Sequence, residues 1–347
     1  MFSPSYTITN AILSNISRIE AAEEVIRHAP LLPLWEKQFK EDAVVRSVYH
    51  GTHIEGNQLH KDEAKDLLLG RQVLGRPRDI QEIINYRKVV ELIDDEAKRK
   101  IEKITDLLIK KIHRTIVDKI LLPPESGEYR TKQVVVKNSS TGEITFRPPP
   151  PMEVPFLMRE YIYWINRPQQ DEIHPILKAG IAHHELVRIH PFMDGNGRVA
   201  RAVATLIFFL GGYDIRRFFS LEEYYDRDAV TYYENLQKAS SGNLTSWLEY
   251  FTYGAYVEFD RVKEKVIKLS KDAKLKEKIG GAQIFLSERQ IKIIEYIGEI
   301  GFLQNKSFST LFSDVSEDTV LRDVQELTQK GLIKKIGSTK AARYIMV

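Results

Sequence analysis

The chain of 347 residues is 43% hydrophobic and 29% charged with a formal net charge of +3, so it can bury a sizeable core and has no overall preference for nucleic acid or membrane surfaces. It contains no cysteine, which excludes disulfides and thiolate metal sites and fits a reducing compartment. The N-terminus has no basic segment before an apolar run, and no stretch reaches the roughly 18 apolar residues of a membrane span. We therefore expect a cytoplasmic protein that does not contact membranes.

The spacing of apolar side chains predicts amphipathic helices along the first hundred residues. They cover residues 7–28, 34–50 and 79–93, with a shorter helix beginning near residue 61. The second helix is followed by Ile54-Glu55-Gly56-Asn57, in which Gly56 and Asn57 mark a helix end. A glutamate there faces the negative end of the helix macrodipole, so we expect Glu55 to have a compensating partner, which on the local sequence alone is a nearby lysine.

A predicted helix over residues 104–120 contains His113, which we interpret as a core or groove histidine because no partner stands at metal-ligand spacing. Two strands are predicted at 133–137 and 143–146, joined by a turn over 138–142. A lone hairpin is marginally stable, so we expect it to pack on the helices or to pair with an extended segment of a partner. Helices over 154–164 and 175–189 follow.

The most informative stretch is His190-Pro-Phe-Met-Asp-Gly-Asn-Gly-Arg-Val-Ala-Arg201. An apolar run follows it, which predicts a buried helix over 199–210 ended by Gly211. A helix N-terminus attracts anions, and glycines let the backbone approach a phosphate closely. Arg198 and Arg201 stand three residues apart and can face the same anion. The stretch therefore predicts a site for a di- or triphosphate with its metal.

This ordered set of residues resembles the complete signature of the Fic family, whose members are nucleotidyl transferases and mainly adenylyl transferases. The resemblance extends to roughly residues 30–255. Gly127-Glu128-Tyr129-Arg130 and the predicted hairpin resemble the approach to the family's target-docking flap, here residues 133–147. Gln81-Glu82-Ile83 and the residues around Glu55 resemble its N-terminal inhibitory region.

The resemblance implies transfer of AMP from ATP to a Ser, Thr or Tyr hydroxyl of a protein, including the chain itself. His190 would be the general base, for which a neutral imidazole is suited at cell pH. Asp194 would hold Mg²⁺, a hard cation that prefers carboxylate and phosphate oxygens. Arg198 and Arg201 would bind the β- and γ-phosphates and orient the α-phosphate for in-line attack.

The remaining implied roles concern the walls of the site. The backbone of Gly195, Asn196 and Gly197 would cradle the phosphates, with the Asn196 side chain as a further donor. Phe192, within the same stretch, is interpreted as a core anchor of the loop. Tyr232 and Tyr233 lie in the part of the sequence that resembles the adenine side of the family's site, but they could equally be ordinary core residues.

The resemblance also gives Glu55 a role. In the family, a glutamate in a Ser/Thr-x-x-x-Glu-Gly/Asn motif bonds the second signature arginine and blocks productive placement of the γ-phosphate. Here the pair would be Glu55 and Arg201, and a buried bidentate pair would explain how this glutamate is tolerated at a helix end. Gly51 stands where the motif has Ser or Thr. In some relatives this glutamate aligns a water for AMP removal, so deAMPylation is a weaker hypothesis.

The sequence changes character after residue 256. Residues 261–278 hold eight Lys or Arg against three Asp or Glu, which predicts a basic linker helix. The rest resembles a winged helix-turn-helix domain, with helices at 286–299, 307–312 and 316–329 and strands at 333–336 and 342–346 around a tip at 337–340. Residues 284–347 carry nine basic and eight acidic side chains, so DNA binding and protein contact or dimerisation both stay open.

We therefore expect a mainly α protein with a Fic-type helical core, a small hairpin flap and a C-terminal winged helix. The expected parts are an inhibitory helical region (1–100), the catalytic core (101–256), a basic linker (257–283) and the winged helix (284–347). The expected function is autoinhibited protein AMPylation with Mg²⁺ and ATP. The alternatives are transfer of another nucleotide or phosphate-containing group, and a DNA-binding regulator with a nucleotide-sensing core. The target, the release signal, a homodimer and deAMPylation stay open.

Overall fold

The computed structural model describes residues 2–29, 33–137, 142, 144–167, 173–213, 218–240, 242–278, 286–312, 315–337 and 342–347. The chain divides into two compact units, residues 1–268 and 269–347. The described fold is mainly α with two small antiparallel sheets, as the sequence predicts. Among the described helices, none combines the length and the apolar character that a membrane crossing requires.

Four helices form the N-terminal part of the first unit. They are α1 (Asn10–His28), α2 (Pro33–His53), α3 (Lys61–Leu68) and α4 (Pro77–Lys98). The Thr9 side chain caps α1 by accepting from the Ile12 N–H, which explains why this helix begins later than predicted. Proline at the first position of α4 fits a helix start, since its missing N–H has no intrahelical acceptor there.

The sequence predicts that α2 ends before Gly51. In the structure the helix continues through Gly51 to His53. A Cβ at Gly51 would lie 2.4 Å from Cε1 of the Tyr86 ring on α4, so the two helices meet where the glycine has no side chain. Packing against α4 therefore overrides the helix-breaking tendency of glycine.

The centre of the first unit is built around two helices that pack most extensively on each other, α7 (Pro175–Ile189) and α8 (Asn196–Leu210). Most residues of both helices are buried. They are accompanied by α5 (Asp106–Ile116), α6 (Val154–Asn166), α9 (Leu221–Arg227), α10 (Ala229–Ala239) and α11 (Thr245–Lys278). α8 begins three residues before the predicted 199 and includes the second glycine of the turn. The predicted basic linker helix is the C-terminal part of α11, which runs without interruption through residues 256–257.

The hairpin consists of β1 (Val136–Lys137) and β2 (Ile144–Phe146), paired antiparallel with Val136 opposite Phe146. β1 begins three residues later than predicted. The chain after β2 continues into prolines 148–151, which lack the N–H that a longer ladder needs. In the predicted turn, residues 138–141 lie outside the described residues.

The second unit contains α12 (Glu288–Ile300), α13 (Phe308–Leu311) and α14 (Glu317–Gln329), followed by β3 (Ile333–Ile336) and β4 (Arg343–Met346). β3 and β4 pair antiparallel, and the chain before α13 adds a bridge between Leu303 and Tyr344. Ser287 and Ser316 cap α12 and α14 through their side chains. This is the predicted winged-helix architecture; of the predicted tip 337–340, residues 338–340 lie outside the described part.

Candidate active site

The loop between α7 and α8 holds most of the predicted site residues. His190 is the C-cap of α7 and adopts a left-handed conformation with φ 52°, while Gly195 is the N-cap of α8. The side chain of Asn196 closes the loop, because its Oδ1 accepts from Phe192 N at 2.8 Å and its Nδ2 donates to Phe192 O at 2.9 Å. One N–H of the Asn196 amide is thus used within the loop, and donation to phosphate by this side chain stays a prediction.

Phe192 is fully buried and anchors the loop through a stack on His113, with ring centroids 3.8 Å apart and an interplanar angle of 4°. Nδ1 of His113 accepts from Gly127 N at 3.0 Å, so Nε2 carries the proton and donates to Asp194 O at 3.0 Å. Burial lowers the pKa of His113 to about 4, which keeps the ring neutral. His113 is the predicted core histidine, and its bond to the signature loop was not foreseen.

His190 is oriented by its own helix. Its Nδ1 lies 3.3 Å from the Val187 carbonyl oxygen, which only accepts, so Nδ1 carries the proton and Nε2 is left as the basic nitrogen. Its backbone oxygen accepts from Arg130 Nε at 2.8 Å. Burial lowers the pKa of His190 below its ordinary 6.5, opposed by the bond to Val187 and by the nearby carboxylate of Glu55. The ring is therefore neutral at neutral pH.

Arg130 connects this loop to the base of the hairpin. Besides the His190 carbonyl, it donates from Nη2 to Pro149 O at 2.6 Å, and its backbone N–H donates to Pro191 O at 2.9 Å. The side chain is 3% exposed. The residue that the sequence assigns to the approach of the flap thus holds the flap and the His190 loop together.

Asp194 is surrounded by positive charge. Its Oδ2 accepts from Arg78 Nη2 at 2.6 Å, and its Oδ1 accepts from Arg198 Nη2 at 3.3 Å and from Gly195 N at 2.5 Å. Burial raises the pKa of this carboxyl, but Arg198 and Arg78 outweigh it and the pKa is lowered, so Asp194 is ionised. The described residues contain no cluster of three or more His, Cys, Asp or Glu that could hold a metal. A single carboxylate fits Mg²⁺ when phosphates supply further oxygens.

Arg198 and Arg201 are each 2% exposed and lie on the first turns of α8. Nε and Nη1 of both guanidinium groups have no hydrogen-bond partner among the described residues. Arg198 Nη1 lies 3.2 Å from Glu82 Oε1, an ion pair without hydrogen-bond geometry. Buried donors without acceptors cost free energy, and they stand beside a helix N-terminus that attracts anions. This part of the site therefore fits phosphate oxygens.

Glu55 places a carboxylate in this anion site. Its Oε1 accepts from Arg201 Nη2 at 2.8 Å, and a Cβ at Gly197 would lie only 2.3 Å from the same oxygen. The pair is not the bidentate one predicted, because Nη2 of Arg201 also donates to Gly51 O at 2.9 Å. Glu55 follows the C-terminus of α2 but faces the first turn of α8, which with Arg201 supplies the compensation that the sequence requires.

The two candidate adenine-side tyrosines have different surroundings. Tyr232 is 1% exposed, bonds His183 Nε2 through its hydroxyl at 2.9 Å and stacks on Tyr225. Tyr233 is 44% exposed, and its hydroxyl donates to Ile54 O at 3.4 Å, beside the turn that carries Glu55. Tyr232 is thus buried, with Arg201 and Glu55 among the charges that act on its hydroxyl, while Tyr233 borders the site; the adenine-side role of both stays a prediction.

The sequence interpretation missed Arg78 and Glu82, which contact Asp194 and Arg198 from α4. Arg78 and Asp194 lie 116 residues apart in the chain, so no local pattern links them. The only available signal is the similarity of residues 81–83 to the inhibitory region of the resembled family, and it gives no pairing.

Known proteins resemble this chain in two regions. Residues 103–208 match the sequence model of the Fic/DOC family, and residues 289–338 match that of the DeoR-like helix-turn-helix domain. The protein adenylyltransferase Fic of Drosophila grimshawi is 32% identical over 200 residues, which cover 57% of this chain and 38% of the relative. That of Aedes aegypti is 30% identical over 219 residues, 62% of this chain and 40% of the relative. The chain thus spans about two fifths of the length of these curated relatives.

Solved structures share the fold. A Fic family protein from Desulfovibrio desulfuricans G20 aligns over 100% of this chain and 98% of its own, with a TM-score of 0.66 and 23% identity. Fic-1 from C. elegans aligns over 74% of this chain and 73% of its own, with a TM-score of 0.61 and 24% identity.

Proposed function

From the Fic/DOC-family domain that the chain carries, we propose that this protein is an adenylyltransferase that moves AMP from ATP to a protein hydroxyl and that inhibits itself through Glu55. The single observation that carries the proposal is the pair of buried guanidinium groups with unpartnered donors among the described residues, at a helix N-terminus beside His190. A triphosphate has the charge and the acceptor oxygens for these donors.

The reaction follows from these positions. The acceptor hydroxyl attacks the α-phosphorus, a new P–O bond forms, the bond to the oxygen bridging to the β-phosphate breaks, and pyrophosphate leaves. Nε2 of His190 takes the hydroxyl proton, because Nδ1 is already protonated toward Val187 O. Arg198 holds the phosphates through Nε and Arg201 through Nε and Nη1, and the backbone at the start of α8 adds N–H donors. Mg²⁺ held by Asp194 and the phosphates would supply neutralisation of the leaving group's charge.

Self-inhibition rests on the position of the Glu55 carboxylate. It accepts from Nη2 of Arg201 and fills the space above Gly197, which the phosphates of ATP need in the active arrangement. A second negative group cannot share this place without repulsion. The Glu55 side chain is 26% exposed, so it lies at the mouth of the site where it can be displaced. Tyr233 borders the same turn. We propose in addition that Tyr233 contacts the adenine end of the nucleotide.

The test is label transfer by full-length Glu55→Gly with Mg²⁺ and ATP labelled on either the α- or the γ-phosphate. We expect protein labelling from α-labelled ATP only, and its loss in Glu55→Gly combined with His190→Ala. Labelling from γ-labelled ATP would indicate phosphoryl transfer instead. Nucleotide binding without His190-dependent labelling would favour the sensor interpretation, for which the DeoR-like domain is the supporting observation.

A further inference from the structure

Four charged side chains from two distant parts of the chain form a closed ring of alternating sign. Arg78 Nη2 lies 2.6 Å from Asp194 Oδ2, and Arg198 Nη2 lies 3.3 Å from Asp194 Oδ1. Glu82 Oε1 closes the ring, 3.2 Å from Arg198 Nη1 and 3.1 Å from Arg78 Nε. α4 thus contributes Arg78, which pairs with Asp194 of the candidate site, and Glu82, which pairs with Arg198.

We propose that Arg78 and Glu82 are positioning residues of this site. Glu82 holds the phosphate-binding Arg198. Arg78 pairs with Asp194 until a divalent cation binds that carboxylate and displaces Arg78. The inference rests on the proposed function in one respect, that Asp194 takes a divalent cation together with a nucleotide.

Burial assigns the two roles. The side chain of Glu82 is 5% exposed and that of Arg198 is 2% exposed, so without Glu82 the buried Arg198 would keep only its 3.3 Å contact with Asp194. Glu82 is held further, because its Oε2 accepts from Asn57 Nδ2 at 3.2 Å. This fixes one edge of the Arg198 guanidinium and leaves Nε, which has no hydrogen-bond partner among the described residues, for a ligand.

Arg78 is the member that can move. Its side chain is 57% exposed, so withdrawal from Asp194 returns the guanidinium to water at low cost. Mg²⁺ binds carboxylate oxygen at about 2.1 Å, and Arg78 Nη2 keeps 2.6 Å from the same atom, so the two cations would lie within about 5 Å of each other and repel. Arg78 keeps Glu82 as its partner after it releases Asp194, because the two are four residues apart on one helix face.

The Arg78 part is tested by metal binding rather than by turnover. Full-length natural protein and Arg78→Ala are saturated with an ATP analogue that cannot be cleaved between the α- and β-phosphates, and Mn²⁺ is titrated with detection of the free ion. We expect Arg78→Ala to lower the Mn²⁺ concentration at half-saturation about two- to fivefold, the range of an exposed ion pair. Arg87→Ala is the matched control, since Arg87 pairs with Glu91 four residues away on the same helix and is similarly exposed. Unchanged or weaker Mn²⁺ binding in Arg78→Ala would overturn the displacement.

The Glu82 part is tested by comparing affinities for ATP and AMP without metal. Glu82→Gln removes the charge that holds Arg198. If the displaced Arg198 loses one charge-assisted hydrogen bond to phosphate, ATP affinity should fall about tenfold, while AMP affinity stays unchanged. If Glu82→Gln does not fold, Glu82→Asp keeps the charge with a shorter reach and should show a smaller loss for ATP alone. Equal losses for both nucleotides, or no loss, would refute positioning. Both experiments measure binding constants, so their results do not depend on whether the labelling experiment detects AMP transfer.

Discussion

The protonation state of His190 is set at the residue scale by two features of its surroundings. Burial disfavours the charged imidazolium, and the Val187 carbonyl selects the tautomer in which Nε2 is basic. Among nearby charges, Glu55 and Asp194 act to raise the pKa and Arg130 to lower it. Removing Glu55 therefore moves the pKa further down.

This predicts the acid limb of the pH–rate profile. The base must be neutral, so activity is present above the pKa and is lost as pH falls through it. Because the pKa of His190 is lowered, kcat of Glu55→Gly should hold at pH 6.5 and decline only below that, by roughly tenfold per unit once the ring is charged. The measurement is kcat against pH with saturating ATP. A midpoint above 6.5 would contradict the environment described for this histidine.

Residues of the site differ in how far the sequence alone could predict them. The signature from His190 to Arg201 is local, so its residue types and order point to phosphate chemistry without a structure. The contacts of His113, Arg78 and Glu82 depend on helix packing across the chain, and their types are common on any helix. The signature includes Asn196, but its place there did not reveal that its amide closes the loop.

At the scale of elements, the end of α2 is the part that acts on the site. The Gly51 carbonyl oxygen and the Glu55 carboxylate both accept from Nη2 of Arg201, so the helix end and the turn hold this arginine together. Helix periodicity predicted α2 but placed its end too early, because the contact with Tyr86 that keeps Gly51 helical is invisible to local sequence.

Gly51→Ala tests this arrangement. The new Cβ would meet the Tyr86 ring at 2.4 Å, so α2 has to shift away from α4. We expect a free energy of unfolding lower by about 1–3 kcal/mol, the cost of overpacking, together with faster labelling in the otherwise natural chain as Arg201 is released. Thermal unfolding and initial rates measure the two effects.

Gly298→Ala is the control for this substitution, since Gly298 is a helical glycine with nothing within 4 Å of its Cβ position. It should be neutral or slightly stabilising, because alanine favours helix. If Gly51→Ala has the same stability and the same labelling rate as the natural chain, the end of α2 does not hold the site closed.

At the scale of the whole molecule, the chain joins a region that matches the Fic/DOC family model to one that matches the DeoR-like helix-turn-helix model, and the latter is not strongly basic. The exposed positions of α14 include Glu317, Asp318 and Glu326 against Arg322, and β3 adds the exposed Lys334 and Lys335. The architecture of this unit was predictable from helix caps and periodicity, but a partner was not, because fold does not determine function.

We predict that this unit gives the full chain no tight general affinity for DNA. Non-specific binding comes from phosphate neutralisation, for which the exposed face of α14 has too few cations. In a mobility-shift titration with random duplex DNA at physiological salt, we expect no complex below about 1 µM protein, the tight end of non-specific binding. A tighter complex that weakens steeply with salt and is lost in Lys334→Ala combined with Lys335→Ala would contradict this.

The most direct test of the central claim, a formed site held closed by Glu55, is the initial labelling rate of the natural chain against Glu55→Gly, with α-labelled ATP and Mg²⁺ at equal protein concentration. The pair between Arg201 and Glu55 is a charge-assisted contact between a buried and a partly buried group, so its removal should raise the rate by roughly 10- to 100-fold. Equal rates, with ATP bound equally well by both chains, would show that Glu55 does not restrain the site.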